Sequence, residues 1–239
     1  MPDDILILGD GLLGSEVHRL TGWDVVSRKK DGIDICDPDS YVNHLAGYLQ
    51  IFNCTGYTET YSEDRWRHWK VNYLAVINLT NILRRLNKKL IHVSTDYVYA
   101  GSKKFASETD VPVHTGNWYS YTKLLADGYI QAMSDNYLMF RCSFKPKPFP
   151  YEKAITTQEG NFVYGDAIAE MMIALIDGGA EGVYNVGNRQ MRSVYALALE
   201  TNPKVKPSSE VLHESMPENI TMDVTKMVDF LERVMIWQK

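Results

Sequence analysis

Cysteine is scarce in this chain: three among 239 residues, Cys36, Cys54 and Cys142, with no Cys-x-x-Cys pair. So sparse and odd a count excludes a disulfide framework and fits a reducing compartment. The six histidines are scattered and form no cluster with ligand spacing, which excludes a zinc centre. Positive charge is not in excess either. A net charge of -5 and a pI near 5.7 argue against a nucleic-acid groove, which needs a basic field. Long apolar runs are missing: no segment approaches the roughly 18 residues of a membrane span. The N-terminal "MPDDILILG" is too short in its apolar part, and too acidic before it, for a signal peptide. There is no internal repeat, no low-complexity stretch and no long linker. The expectation is a cytoplasmic protein with no membrane, nucleic-acid or metal partner.

What is present alternates. Short apolar runs stand at 4–8, 23–27, 49–55, 89–95 and 136–143, with helically spaced segments at 12–20, 62–86 and 118–133 between them. Strands that are apolar along their length and separated by helices mean a parallel sheet covered on both faces. The predicted fold class is α/β, a Rossmann-type doubly wound parallel sheet. The proline-broken "KPKPFPYEK" at 145–153 opens a less regular second half, with helices predicted at 163–178 and 223–237 and a short strand at 182–187. The expected organisation is one domain, with a dinucleotide-binding core over 1–143 and a small substrate lobe over 144–239.

"ILILGDGLLGSEV" carries Gly9, Gly11 and Gly14 as GxGxxG between a predicted strand and a predicted helix, the context that motif requires. Gly9 permits the tight turn, Gly11 lets backbone approach a pyrophosphate, and Gly14 lets helix and strand pack closely. Leu12 and Leu13 open the helix, where free N–H groups and the helix dipole favour an anion. The second strand runs into Ser27, Arg28, Lys29 and Lys30, where a diol-binding acid would otherwise stand. Arg28 and Lys29 suit a 2'-phosphate through charge-assisted hydrogen bonds, which selects NADPH, with NADH the alternative if these are only solvated turn charges.

Tyr119 and Lys123 in "YSYTK" lie four residues apart, on one helix face, whereas Tyr121 points elsewhere. A free tyrosine, with a pKa of about 10, is a poor acid at neutral pH. A neighbouring ammonium favours the phenolate and makes it a usable proton donor. As a bare pattern YxxxK is common, and a plain helix-surface pair fits it too. Ser94 and Thr95 supply further weight, because they end the fourth predicted strand at the edge where such sheets bind ligands.

Together GxGxxG, "NCTGYT" at 53–58, "STDYVY" at 94–99, YxxxK and "FRCS" at 140–143 resemble the extended short-chain dehydrogenase/reductases. More narrowly they are similar to dTDP-4-dehydrorhamnose reductases and to the 4-reductase part of 3,5-epimerase/4-reductases. The resemblance implies that Tyr119 protonates a carbonyl oxygen, that Lys123 holds the nicotinamide ribose, and that Thr95 hydrogen-bonds the carbonyl. Asn72 would stand behind them as a relay. Cys54, Thr55 and Gly56 would line the cofactor, Asp34 and Ile35 would meet its adenine, and Asp96 would touch the sugar nucleotide. Phe144 stands where the family has a tryptophan and takes its place at the substrate. The glycine turn is one residue shorter than the family's usual GxxGxxG, and the segment after the fifth strand lacks the family's helix.

The implied reaction is reduction of the 4-keto group of a nucleotide-linked 4-keto-6-deoxy sugar, in a chain that allows a homodimer. Two alternatives stand beside it. One is a catalytically idle NADP-binding regulatory subunit like the β subunit of methionine adenosyltransferase. The other is an NAD-retaining epimerase or dehydratase, for which "STDYVY" supplies Asp96 but no following glutamate. His92 reads as a packed histidine. Trp66, Trp69 and Tyr73, at helical spacing, read as packing or a subunit interface.

Overall fold

The computed structural model describes residues 4–110 and 117–237. The chain opens with strand β1 (Ile5–Leu8), helix α1 (Leu12–Thr21), strand β2 (Asp24–Val26), and the short helices α2 (Arg28–Asp31) and α3 (Pro38–Tyr41). Strand β3 (Gln50–Asn53) leads to helices α4 (Arg65–His68) and α5 (Ala75–Arg85), then strand β4 (Lys89–Val93), helix α6 (Trp118–Met133) and strand β5 (Tyr137–Cys142). The remainder holds strands β6 (Phe144–Lys145), β7 (Lys153–Ile155), β8 (Glu159–Gly160) and β9 (Val163–Tyr164), helix α7 (Gly165–Asp177) and strand β10 (Gly182–Val186). Strand β11 (Arg192–Ser193), helix α8 (Val194–Leu199), strands β12 (Lys206–Ser208) and β13 (Asn219–Ile220), and helix α9 (Thr225–Trp237) complete it.

A six-stranded sheet runs in the order β10-β5-β4-β3-β1-β2, with β1–β2, β1–β3, β3–β4 and β4–β5 all parallel. This is the Rossmann-type α/β fold read from the alternation. The chain steps outward from β1 to β2 and then returns to β3 on the other side. That reversal is the topological switch point where such sheets receive ligands.

Local chemistry sets the elements. β1 is buried at all of its positions, which explains an uninterrupted apolar run. α1 ends at Gly22, whose φ of 74° is the left-handed conformation that glycine adopts at low cost, and its N–H donates to the His18 carbonyl. Asn117 caps α6: its Oδ1 accepts from the Ser120 N–H at 2.8 Å and from the Ser120 hydroxyl at 2.9 Å.

Two departures from the sequence pattern stand out. The stretch read as one helix over 62–86 contains a wide π turn at Trp69–Leu74 between α4 and α5. "SRKKD", read as a turn, is the capped helix α2: Ser27 Oγ accepts from the Lys30 N–H and Asp31 Oδ2 accepts from the Ser27 N–H.

The chain divides into two compact units. The first comprises residues 1–94, 117–140 and 181–183; the second comprises 95–116, 141–180 and 184–239. The first has a core of Leu6, Leu8, Ile51, Leu79, Leu83, Leu90, Ile130 and Met139, among others, each nearly or wholly buried. The second has its own core around Phe162, Tyr164, Leu197 and Ile220. Each fully buried side chain of this size contributes about 1.5–3 kcal/mol relative to exposure. No described helix is long and apolar enough to cross a membrane.

Candidate active site

The glycine turn links β1 to α1. Gly9 has φ +101°, and a side chain there would press on Thr55. A Cβ at Gly14 would collide with the Gly9 carbonyl oxygen, so only glycine lets α1 lie this close to the turn. Around Gly11, the N-cap of α1, nothing stands within 4 Å of where a Cβ would project. Backbone N–H groups at a helix start, an open approach and no acid in the first turn fit a dinucleotide's pyrophosphate. Leu12 is exposed and Leu13 buried, so Leu12 borders the approach and Leu13 anchors the helix.

At the end of β2, Ser27 is buried and committed to capping α2, while Arg28 and Lys29 are exposed. Asp31, the first acid after β2, has its carboxylate on the Ser27 N–H at 2.8 Å. The positive end therefore fits a 2'-phosphate better than a bare diol. Arg28 also lies 3.9 Å from Asp34, an exposed pair of little energetic consequence. Asp34 holds its own loop by accepting from the Cys36 N–H at 2.9 Å, and Ile35 is buried beside it.

After β3 the chain passes through Cys54, Thr55 and Gly56. Cys54 donates its N–H to the Leu8 carbonyl at 3.0 Å, which ties this loop to the glycine turn. Asn72, in the π turn, is buried. Its Oδ1 accepts from the Tyr57 N–H at 2.8 Å and its Nδ2 donates to the Tyr57 carbonyl at 3.0 Å. Both ends of the amide thus clamp the loop after Gly56. Widened π turns recur at functional sites because the extra residue re-aims the side chains around it.

Tyr119 is half-buried on α6, and the His68 ring meets it edge-on at 6.2 Å. His68 is itself held by Ser62 O, 3.1 Å from Nε2, and burial pushes its ring below the ordinary histidine range. Tyr121 is exposed and packs edge-on against Trp118. Lys123 is buried, with Nζ donating to the Val93 carbonyl at 2.6 Å, at the carboxyl end of β4. So the two tyrosines part company as the helix spacing required, and the lysine points at the sheet rather than at solvent.

In the second unit, Thr95 starts a single 3-10 turn over Asp96–Tyr99. Its hydroxyl accepts from the Tyr97 N–H and donates to Asp96 Oδ1, each at 3.2 Å. Burial lifts the Asp96 carboxyl to about 7, against the opposing pull of Lys145, Thr95 and Ser143. Phe144 is half-buried in β6, paired with Val163. Lys147, from the proline-broken loop, is paired with Asp166 at 2.6 Å.

His92, read as a packed histidine, is packed and hydrogen-bonded, and sequence reasoning passed over its neighbour Asn53. Both are wholly buried polar residues inside apolar strands. That mismatch, a polar side chain where the strand is otherwise apolar, was the available signal. Among the described residues, no cluster of three or more His, Cys, Asp or Glu could hold a metal ion.

Comparison with known proteins agrees with this architecture. The family model described as RmlD substrate binding domain matches residues 3–144. The dTDP-4-dehydrorhamnose reductase of Mycolicibacterium smegmatis is 24% identical, over 84% of this chain and 69% of its own. The spore coat polysaccharide biosynthesis protein SpsK of Bacillus subtilis is 23% identical, over 92% and 82% respectively. The crystal structure of Bacillus anthracis dTDP-4-dehydrorhamnose reductase in complex with NADP superimposes with a TM-score of 0.79 at 19% identity, covering 99% of each chain.

Proposed function

The chain belongs to the RmlD substrate binding domain family, and from that premise we propose that it is an NADPH-dependent reductase of nucleotide-linked sugars. The finer proposal is reduction of the 4-keto group of a 4-keto-6-deoxy sugar. Relatives named dTDP-4-dehydrorhamnose reductase support it. The observation that carries it is the arrangement of α6 in the first unit: Tyr119 and Lys123 share one face, and the lysine amine reaches the Val93 carbonyl at 2.6 Å.

Gly9, Gly11, Leu12, Leu13 and Gly14 would hold the pyrophosphate, Arg28 and Lys29 the 2'-phosphate, and Cys54, Thr55 and Gly56 would line the cofactor's flank. Asp34 and Ile35 would border the adenine. When bound, the reduced nicotinamide supplies hydride to the carbonyl carbon. Tyr119 gives its phenolic proton to the carbonyl oxygen, and Lys123, one helical turn away, stabilises the phenolate left behind by its positive charge. Asn72 acts at one remove, by clamping the Tyr57 backbone. The roles of Thr95 as donor to the carbonyl, and of Asp96 and Phe144 at the sugar, are carried by the family motif alone.

The test is nicotinamide oxidation with a panel of 4-keto sugar nucleotides. Tyr119→Phe is expected to abolish turnover and leave NADPH affinity largely intact. Unchanged turnover would remove Tyr119 from its role, and NADPH binding without turnover of any panel member by the wild type would favour the idle regulatory subunit. The proposal extends to a homodimer built on the helices that carry exposed Trp66 and Tyr121; a monomeric mass by light scattering would sink that part.

A further inference from the structure

A buried polar row at the carboxyl ends of β3 and β4 has no part in the roles above. Register pairs Asn53 with His92, so their side chains leave the sheet on one face. Asn53 Oδ1 accepts from the Thr55 N–H at 3.1 Å and from the Thr55 hydroxyl at 2.5 Å. A backbone N–H can only donate, so the atom it meets is the amide oxygen, and the amide NH2 is turned toward His92 Nδ1, 3.2 Å away. That NH2 also only donates. Nδ1 therefore keeps its lone pair, and a neutral ring carries its proton on Nε2. Burial, reinforced by the charge of Lys123, holds the ring neutral.

Nε2 faces Lys123 Nζ at 3.4 Å, while the short bond from Nζ, 2.6 Å, goes to the Val93 carbonyl. An ammonium has only donors. Donor thus faces donor across the longer contact. An amine that has given up a proton would accept from Nε2–H and still donate to Val93. Among the described residues, the titratable groups near Lys123 include Tyr119 and buried Asp127, one turn to either side on α6, and His68, which meets Tyr119 from α4.

We infer that Asn53 locks His92 as the Nε2–H tautomer, and that His92 is a positioning residue which loosens the hold of Lys123 on its proton. In its consequence this rests on the reductase reading. The Tyr119 O–H bond breaks as the product O–H bond forms, an N–H of Lys123 breaks as Tyr119 recovers its proton, and solvent returns one to Lys123. An ammonium that opposes a fixed donor makes the second transfer easier.

The experiment needs no substrate. NMR of the full chain, with ring-15N histidine and 13Cε lysine, reads His92 and Lys123 directly, the signals assigned by their loss in His92→Gln and Lys123→Met. His92 is expected to show a bare Nδ1 and a protonated Nε2 from mildly acidic to mildly alkaline pH. A protonated Nδ1, or an imidazolium over that range, overturns the inference. Asn53→Asp, which accepts from Nδ1–H and so turns the Nε2 lone pair to Lys123, is expected to raise the Lys123 titration by about 1 unit or more. The rise is expected to shrink by at least half in the His92→Gln background. An undiminished rise there would mean that the new carboxylate acts by charge alone, and would also overturn the inference. Failure of the sugar-nucleotide assay alone would sink the reductase reading and leave the tautomer result standing.

Discussion

At the scale of single residues, burial sets the chemistry of a few polar groups. Asp96 is the sharpest case. Its folded pKa, about 7, lies above the ordinary carboxyl value because burial outweighs Lys145, Thr95 and Ser143. The folded state therefore binds more protons than the unfolded state between about pH 4 and pH 7, and stability falls as pH rises through that window. Asp96→Asn removes the slope. The variant is expected to gain on the wild type toward alkaline pH, by up to about 4 kcal/mol, and to converge with it below pH 4. Urea unfolding at a series of pH values checks this, and a pH-independent difference would sink it. Arg28 and Lys29 give a second expectation. Arg28→Ala with Lys29→Ala is expected to raise the KM for NADPH about 10–100-fold by removing charge-assisted bonds, with little change for NADH. Equal losses with both cofactors would assign these side chains elsewhere.

At the scale of elements, the β1-turn-α1 unit is the least tolerant part. Gly14→Ala would drive a methyl group into the Gly9 carbonyl. The turn must open or the helix must retreat, at a cost of about 1–3 kcal/mol or more. NADPH affinity is expected to fall together with thermal stability, because one displacement causes both. Retained affinity in a destabilised variant would show that the turn does not seat the cofactor. By contrast, Asn117→Ala removes the cap of α6, and about 1 kcal/mol is the expected loss in denaturant unfolding. The π turn before α5 belongs to this scale too. The periodicity over 62–86 announced a helix, but an inserted residue within it shifts the phase without breaking the apolar pattern, so the widening was invisible in sequence.

At the scale of the whole molecule, two cores hold two units, and the second is assembled from three stretches of chain. Phe162, wholly buried in the second core, is expected to cost about 3–5 kcal/mol on truncation to alanine. Native-state hydrogen exchange should then show lost protection in β8, β13 and α8 before β1, β3 and β4. Uniform loss across all six would mean that the two cores do not open separately.

The alternation of apolar runs with helical segments determined the parallel sheet, because a strand covered on both faces must be apolar throughout and only helices supply that cover. The glycine spacing, the missing acid after β2 and the Tyr-x-x-x-Lys repeat were legible for the same reason: each is a local constraint of backbone or helix geometry. Other features required distant residues to meet. β10 joins the main sheet beside β5 although 39 residues separate Cys142 from Gly182; Asn53 finds His92 only through strand register. Asp96 acquires its raised carboxyl only when the fold buries it, against the pull of Lys145. Hydrophobic period and turn chemistry act over a few residues and can be read along the chain, whereas partners, burial and proton affinity depend on what the folded chain brings alongside.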